Sequence, residues 1–557
     1  MAVDLETHQG KRGVSSHDCD FLIVGSGFGG AVSALRLAEK GYSVLVLEQG
    51  RRIGPEEIRA AKHNLLKLFW LPALGLKGFF TQRLFRHVGI LGGVGIGGGS
   101  LVWGSVLLEP KPAFYRDPAW SGLGIDWEAD LRPHYDTARR MLGCTTNPML
   151  SEMDEHLMAT AGRMGAKASF GRTPVGIHFG KPGETVVDPY FGGEGPPRTG
   201  CIFCGGCLTG CPQGSKNSLD YNYLHLAQRH GARLLPEHQV TALHPLPGGG
   251  YAISSRQPGL AGCRHPTLRA RKVVLAAGVL GTLDLLLRAR DIHRSLPALA
   301  PSLGQRVRTN SESLVAVLAP EPQTDLSHGV AISSDFHPNA HTHITQNRLP
   351  PNYAYLRLLL TPLVDGARPW RRAWVTLGRS LLQPMPLLRN WFGSNWTKRI
   401  SLLTVMQHLD NELSFRLARP WWAPWQLLLR SRAVPGRQAP TYIPEANEAA
   451  RQFAAVSGGH AFNLAPESLA GMSLTAHILG GCGMGQDQGA GVIGTDHQAH
   501  GYPGLYVMDG SVVSANLGVN PSLTIAALAE RFASAIPTAS MYHPAEGIDE
   551  SRPISRR

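Results

Sequence analysis

Residues 20–50, DFLIVGSGFGGAVSALRLAEKGYSVLVLEQG, constrain the fold more than any other stretch of the chain. They read as a buried strand over Phe21–Val24, a glycine turn, a helix, and a second strand ending at Glu48. That order is a βαβ unit, with Gly25, Gly27 and Gly30 forming G-x-G-x-x-G. Gly25 permits the tight turn, Gly27 lets backbone approach a pyrophosphate, and Gly30 lets helix and strand pack closely. The helix N-terminus offers a positive dipole end, and Glu48 can accept hydrogen bonds from a ribose hydroxyl pair. The fingerprint serves FAD and NAD alike. Arg51 and Arg52 suit a 2′-phosphate, but Glu48 argues against NADP.

Three later blocks share this glycine-rich grammar. Gly92–Gly104, GGVGIGGGSLVWG, has seven glycines in thirteen residues, a composition expected to exclude helix and strand interiors. Such a run suits backbone lying against a flat or charged ligand, and Val94, Ile96, Leu101, Val102 and Trp103 within it argue for burial. Residues 268–290 repeat the pattern, with a strand over Val273–Ala277, Gly278 in the turn, and an apolar helix. Their distance from the first unit implies a cofactor domain assembled from separated segments. The last block, 477–536, contains HILGGCGMG, GLYVMDGS and NLGVNPSLTIAALAERFA. It predicts a short strand over Leu505–Met508, a turn at Asp509-Gly510, and a helix opened by Asn520 as cap and Pro521 as first residue.

The chain has 557 residues, 43% of them apolar and 17% charged, which excludes global disorder. Its net charge of +13 points to an anionic partner or surface. The first residues carry no apolar core, and no stretch reaches the roughly 18 apolar residues of a membrane span. We therefore expect a soluble or peripheral protein in the cytoplasm. Seven of the eleven tryptophans lie between Trp370 and Trp425. Residues 351–430 hold 11 Arg/Lys against Asp365, Asp410 and Glu412, a surplus of +8. Two readings stand: contact with membrane headgroups, or an arginine-rich cap over an apolar cavity. Both imply a lipophilic substrate, and no nucleic-acid motif accompanies the charge.

Four of the eight cysteines fall in CIFCGGCLTGCP, as Cys201, Cys204, Cys207 and Cys211. The spacing C-x2-C-x2-C-x3-C-P is that of bacterial ferredoxins, where the fourth cysteine serves a second cluster. One iron–sulfur cluster, of the 3Fe–4S or 4Fe–4S type, is one reading; a cluster-free structural loop is the other. Zinc fits less well, because four-cysteine zinc sites pair two knuckles at longer separation.

The blocks VGSGFGG, GGGSLVWG, LAAGVLGT and HILGGCG…DGS…VNPSLTIAALAER, in this order, resemble the glucose–methanol–choline (GMC) oxidoreductases, specifically the bacterial cholesterol-oxidase-like branch. The resemblance implies an α/β (α+β composite) fold: a Rossmann-like FAD-binding domain from separated segments plus a sheet-containing substrate domain. The expected segments are 18–115 and 200–305 for FAD, 116–199 as substrate or cap region, 306–470 as substrate domain, and 471–540 for FAD and active site. Residues 1–17 and 541–557 are expected to be disordered tails.

The resemblance implies that Gly25, Gly27, Gly30 and Glu48 hold the ADP half of FAD and that Val240 contacts adenine. It makes Gly99, Gly278, Asp509 and Gly510 further flavin contacts. It makes His477 the active-site histidine and Asn520 the second polar group near flavin N5. The implied reaction passes hydride from a lipophilic alcohol (a sterol or long-chain alcohol) to flavin. Electrons then go to an external acceptor: a quinone, an electron carrier or oxygen. Trp103 replaces the branch's Asn, Ile478 replaces its Pro, and the branch's substrate-side glutamate has no placed counterpart. Two rivals are an NAD-dependent alcohol dehydrogenase and a non-catalytic electron-transfer or membrane-docking protein.

Overall fold

Continuous apolar runs in the first βαβ unit become strands covered on both faces. Strand Cys19–Val24, helix Phe28–Glu39 and strand Val44–Leu47 follow in order, and Asp20 is the one strand residue not fully buried. The computed structural model describes residues 17–542 except 261, 321–323 and 422. Apart from residues 17, 541 and 542, the expected tails lie outside the described residues.

Parallel partners reach this unit from far along the chain. Leu268–Leu275 pairs with one edge of Cys19–Val24 and Val44–Leu47 with the other. Arg233–Leu235 extends the sheet beyond Val44–Leu47, and Leu505–Val507 pairs with the second half of Leu268–Leu275. The first half of Leu268–Leu275 instead takes Tyr251–Arg256 of an antiparallel hairpin whose other strand is Gln239–Pro245. That hairpin is why the strand starts at Leu268 rather than Val273. Helix Phe28–Glu39 lies between the sheet and helix Ser522–Ala535, and the Arg36 guanidinium donates twice to Glu530, at 2.7 and 2.9 Å.

A second, antiparallel sheet forms the other layer. Its strand order is Leu360–Pro362, His460–Leu464, Ser313–Leu318, Ile400–Gln407, Thr342–Asn347, Ser334–Phe336 and Gly171–Arg172. Helices Glu152–Arg163 and Pro444–Ser457 pack on it through a core that includes Leu157, Val315, Val405 and Phe453. The span 116–199 divides between the layers. Helix Trp127–Met141 lies on Ser522–Ala535, where Tyr135 Oη meets Thr524 Oγ1 at 2.9 Å, while Glu152–Arg163 belongs to the second layer.

The glycine-rich run departs from expectation at its start, because Gly92 and Gly93 close the strand Val88–Gly93 against Phe80–Leu84. Strand geometry is tolerated there because the backbone must pass close by: a Cβ on Gly93 would lie 2.6 Å from the Gly98 carbonyl oxygen.

Candidate active site

Glycine shapes one side of the site in two distinct ways. Gly25 has φ +100°, and a Cβ there would stand 2.2 Å from the Ala276 carbonyl oxygen. A Cβ on Gly30 would stand 2.1 Å from the Gly25 carbonyl oxygen, so both positions exclude any side chain. Gly27, Gly99 and Gly278 are different: no protein atom lies within 4 Å of a Cβ built on them. They present open backbone faces. Gly98 approaches Gly27 closely, so the run at 92–104 meets the first turn directly.

Helices Phe28–Glu39 and Gly278–Asp291 start on Gly27 and Ala277 without side-chain caps, leaving their first amides to a ligand. Glu48 is buried and accepts from Ser26 Oγ at 2.8 Å, Ser26 N at 3.1 Å and Gly50 N at 2.9 Å. Burial pushes its carboxyl above the ordinary value, with these hydrogen bonds opposing the rise. Val240 sits half-buried at a bulge in Gln239–Pro245; two residues before it, His238 N donates to the Glu48 carbonyl at 2.8 Å. Asp509 is buried, accepting from Thr282 Oγ1 at 2.6 Å and Ser511 N at 2.8 Å, and burial likewise raises its carboxyl. Gly510 opens the short turn Gly510–Val512. The Trp103 ring meets Phe28 edge-on at 5.0 Å, and its buried Nε1 has no partner.

Side chains build the other side. His477 follows the strand Ser473–Thr475, and its Nδ1 makes a short hydrogen bond to Glu312 Oε1. The other Glu312 oxygen accepts from Ala476 N at 2.8 Å, so one carboxylate holds both the loop and the ring. A carboxylate on Nδ1 fixes the proton there and leaves Nε2 as acceptor. Asn520 Nδ2 lies 3.3 Å from Nε2, and Asn520 Oδ1 is buried without a partner. The array therefore presents an acceptor and an amide at one spot, which is what directing a hydroxyl and removing its proton require.

Two loops hold this geometry together. Asn310 and Ser311 adopt left-handed φ of 58° and 45°, an unusual conformation for residues other than glycine. Asn310 Oδ1 accepts from Gly518 N at 2.8 Å, its Nδ2 donates to Val519 O at 2.9 Å, and Asn310 N donates to Asn516 Oδ1 at 2.9 Å. Glu312 and Asn520 are thereby clamped from opposite chain segments. Asn520 is not the helix cap expected of it. Pro521 occupies that position with no side-chain cap, and the helix begins at Ser522. The Asn520 amide is consequently free to face His477. Glu312 is absent from the sequence-level candidates, since it stands 165 residues from His477 and no motif surrounds it.

Cys201, Cys204, Cys207 and Cys211 stand apart from this array, as free thiols around a separate cavity. Among the described residues, no helix is long and apolar enough to cross a membrane.

Residues 197–295 and 432–529 match GMC oxidoreductase family models, and residues 23–64 match an NAD(P)-binding Rossmann-like domain. The chain is 43% identical over 540 residues to a cholesterol oxidase of Mycobacterium tuberculosis, covering 93% of this chain and 91% of that one. It is 38% identical to a cholesterol oxidase of Acinetobacter baumannii, covering 94% and 95%. The crystal structure of a pyridoxine 4-oxidase from Mesorbium loti shares the fold at a TM-score of 0.61 and 17% identity, covering 95% of this chain and 100% of the other. With these relatives across nearly its whole length, the chain belongs to the GMC oxidoreductases, in their cholesterol-oxidase-like branch, and is an FAD-dependent oxidoreductase acting on CH–OH donors.

Proposed function

We propose that the chain oxidises the hydroxyl of a sterol or another lipophilic alcohol, with Glu312, His477 and Asn520 handling that hydroxyl. The array these three residues form is the observation that carries the reading. Two similar chains named cholesterol oxidases support the substrate class.

The residues present fit FAD. The open faces of Gly27, Gly99 and Gly278 leave the room that backbone contact with a cofactor needs, and the uncapped helix starts suit its pyrophosphate. Glu48 would take the ribose, Val240 the adenine, and Asp509 and Gly510 the flavin end. The unpartnered Trp103 Nε1 and Asn520 Oδ1 offer a donor and an acceptor. When bound, FAD supplies the hydride acceptor for the carbinol carbon.

His477 Nε2 takes the hydroxyl proton as negative charge builds on the oxygen, and the Asn520 amide donates to that same oxygen. Glu312 keeps the ring in the required tautomer and stabilises the imidazolium that forms. It stands behind the ring, on Nδ1, and is not the substrate-side glutamate that the family resemblance implies. In His477→Ala, FAD stays bound while anaerobic bleaching of the flavin by cholesterol slows at least about a hundredfold. Unchanged bleaching would remove His477 from the chemistry.

The substrate reaches the site from a lipid surface. Helices Pro369–Leu382 and Met385–Phe392 expose Trp374 at 71%, Leu382 at 83% and Phe392 at 80%, with Arg368, Arg371 and Arg389 also exposed. Buried Arg372 holds the first helix down, donating to Gly366 O at 3.1 Å and Thr441 Oγ1 at 3.2 Å. Outward rings with arginines among them favour contact with an anionic headgroup layer over the cap reading. The protein should float with phosphatidylserine vesicles, and Trp374→Ala/Phe392→Ala should float about tenfold less. Equal flotation of the two proteins would overturn the docking surface.

A further inference from the structure

In a two-cluster ferredoxin the fourth cysteine of C-x2-C-x2-C-x3-C-P leaves its neighbours to serve the other cluster. Here it does not leave. Cys201, Cys204, Cys207 and Cys211 all line one small cavity, which opens to solvent on the Cys204 side. We propose that these four cysteines hold a single 4Fe–4S cluster.

The loop is bent around that cavity. Phe203, Gly205 and Gly210 have positive φ of 55°, 67° and 100°, which turns the chain between successive cysteines. Gly205 N donates to Gly329 O at 2.8 Å and Gly329 N donates to Phe203 O at 2.8 Å, tying the outer arm to a neighbouring segment. Phe203 N donates to Cys201 Sγ at 3.4 Å, the kind of amide–sulfur bond that tunes a thiolate ligand. None of the four thiols is in a disulfide.

The electrostatics call for an anion. Lys216 lines the cavity and is 2% exposed, yet its Nζ donates only to carbonyls, those of Leu101 at 2.8 Å, Cys207 at 2.9 Å and Trp103 at 3.4 Å. Arg198 is 1% exposed and spends Nε and Nη2 on the carbonyls of Gly214 and Ser215, while its Nη1 has no partner. Asp220, a buried carboxylate, acts on both cations through space without a hydrogen bond to either, and offsets part of the desolvation penalty they carry. An oxidised cube ligated by four thiolates is a dianion and suits Lys216, which lines the cavity.

Zinc does not fit the spacing. Zinc–sulfur bonds of about 2.3 Å would draw the sulfurs to within about 3.8 Å of one another. Among the described residues, the trio of ligand atoms lying within 4.8 Å of one another is Asp335, His337 and His343, not the cysteines. No three of the cysteine sulfurs lie that close together. Through Lys216 the loop is bonded to the carbonyls of Leu101 and Trp103, so the proposed cluster adjoins the glycine-rich run. The site itself stands independently of the flavin reading.

The test is the full-length protein purified without oxygen, assayed for iron, acid-labile sulfide, zinc and flavin. We expect about four iron and four sulfide per chain, with a low-temperature paramagnetic signal after dithionite reduction. Cys207→Ser should lose the iron and sulfide while keeping its flavin, which separates loss of the cluster from loss of the fold. Cys204→Ser, on the exposed rim, should do the same and serves if the first variant does not fold. Absence of iron and sulfide after incubation with ferrous iron and sulfide, about one zinc per chain, about three iron per chain, or unchanged iron in both variants would each overturn the assignment.

Discussion

The two sides of the candidate active site are built by opposite means. On the nucleotide side the working feature is missing side chains: Gly25 and Gly30 let backbone touch backbone, and Gly27, Gly99 and Gly278 leave space. On the proposed hydroxyl side, three polar side chains are held by one another and by the clamped loops at Asn310 and Gly518. The first kind of site is local in sequence and tolerates no added atoms. The second is assembled over long distance and tolerates no lost ones.

The contrast can be broken at several points. Gly30→Val drives a side chain onto the Gly25 carbonyl and should abolish the folded, yellow protein, with a destabilisation of about 3 kcal/mol or more in denaturant titration. Glu312→Ala should leave flavin content intact while kcat falls about a hundredfold with little change in KM, and Glu312→Gln should recover about tenfold of that loss. Equal kinetics for Ala and Gln would reduce Glu312 to a packing role. Gly27→Ala meets no protein atom, so the fold should persist while FAD affinity, measured by fluorescence titration, weakens about tenfold. Loss of folding there would show that Gly27 serves the backbone rather than the cofactor.

The smallest effect concerns Glu467, buried beside Glu312, whose carboxyl is pushed up to about 8 chiefly by burial, against hydrogen bonds from Ser313 Oγ and Leu314 N. Its folded value lies above the unfolded one, so its contribution to stability is complete below about pH 4.5 and disappears as pH rises through about 8. Glu467→Gln removes that dependence. Its melting temperature should therefore fall less than the wild type's between pH 5 and 9, by about 2 °C. Parallel melting curves would show that Glu467 is already ionised in the native protein.

Legibility followed the same division. Strand, turn and helix at 20–50 could be read because the periodicity and the glycines lie within one window, and His477 because a block motif surrounds it. The hairpin that moves the start of Leu268–Leu275 could not be read, because the pairing that extends that strand is a tertiary fact. Glu312 could not be read for a stronger reason. Its neighbours Asn310 and Ser311 take left-handed φ where distant segments grip them, Asn310 by the loop at 516–519 and Ser311 by Leu409 and Asn411. The family resemblance names Asn520 as the second polar group, but the capping position expected of it is held by Pro521. For the cysteines the spacing was plain, whereas the shared cavity and the buried Lys216 and Arg198 exist only once the chain is folded.

The interleaving of the two layers has a consequence for biosynthesis. Strand Cys19–Val24 leaves the ribosome first, yet its parallel neighbour Leu268–Leu275 comes far later, and the helix covering Phe28–Glu39 is Ser522–Ala535. Helix Tyr223–Arg229 and strand Leu268–Leu275 reach the first βαβ unit midway through translation, but the face that Ser522–Ala535 covers stays open, and the histidine array stays incomplete, until translation is nearly complete. Cofactor capture must therefore be post-translational, and a nascent chain paused before residue 505 should be a client of chaperones that shield exposed apolar surface. Truncation from the C-terminus should remove the nucleotide domain's stability and the proposed chemistry together, because helix Ser522–Ala535 closes one and Asn520, two residues before it, faces His477.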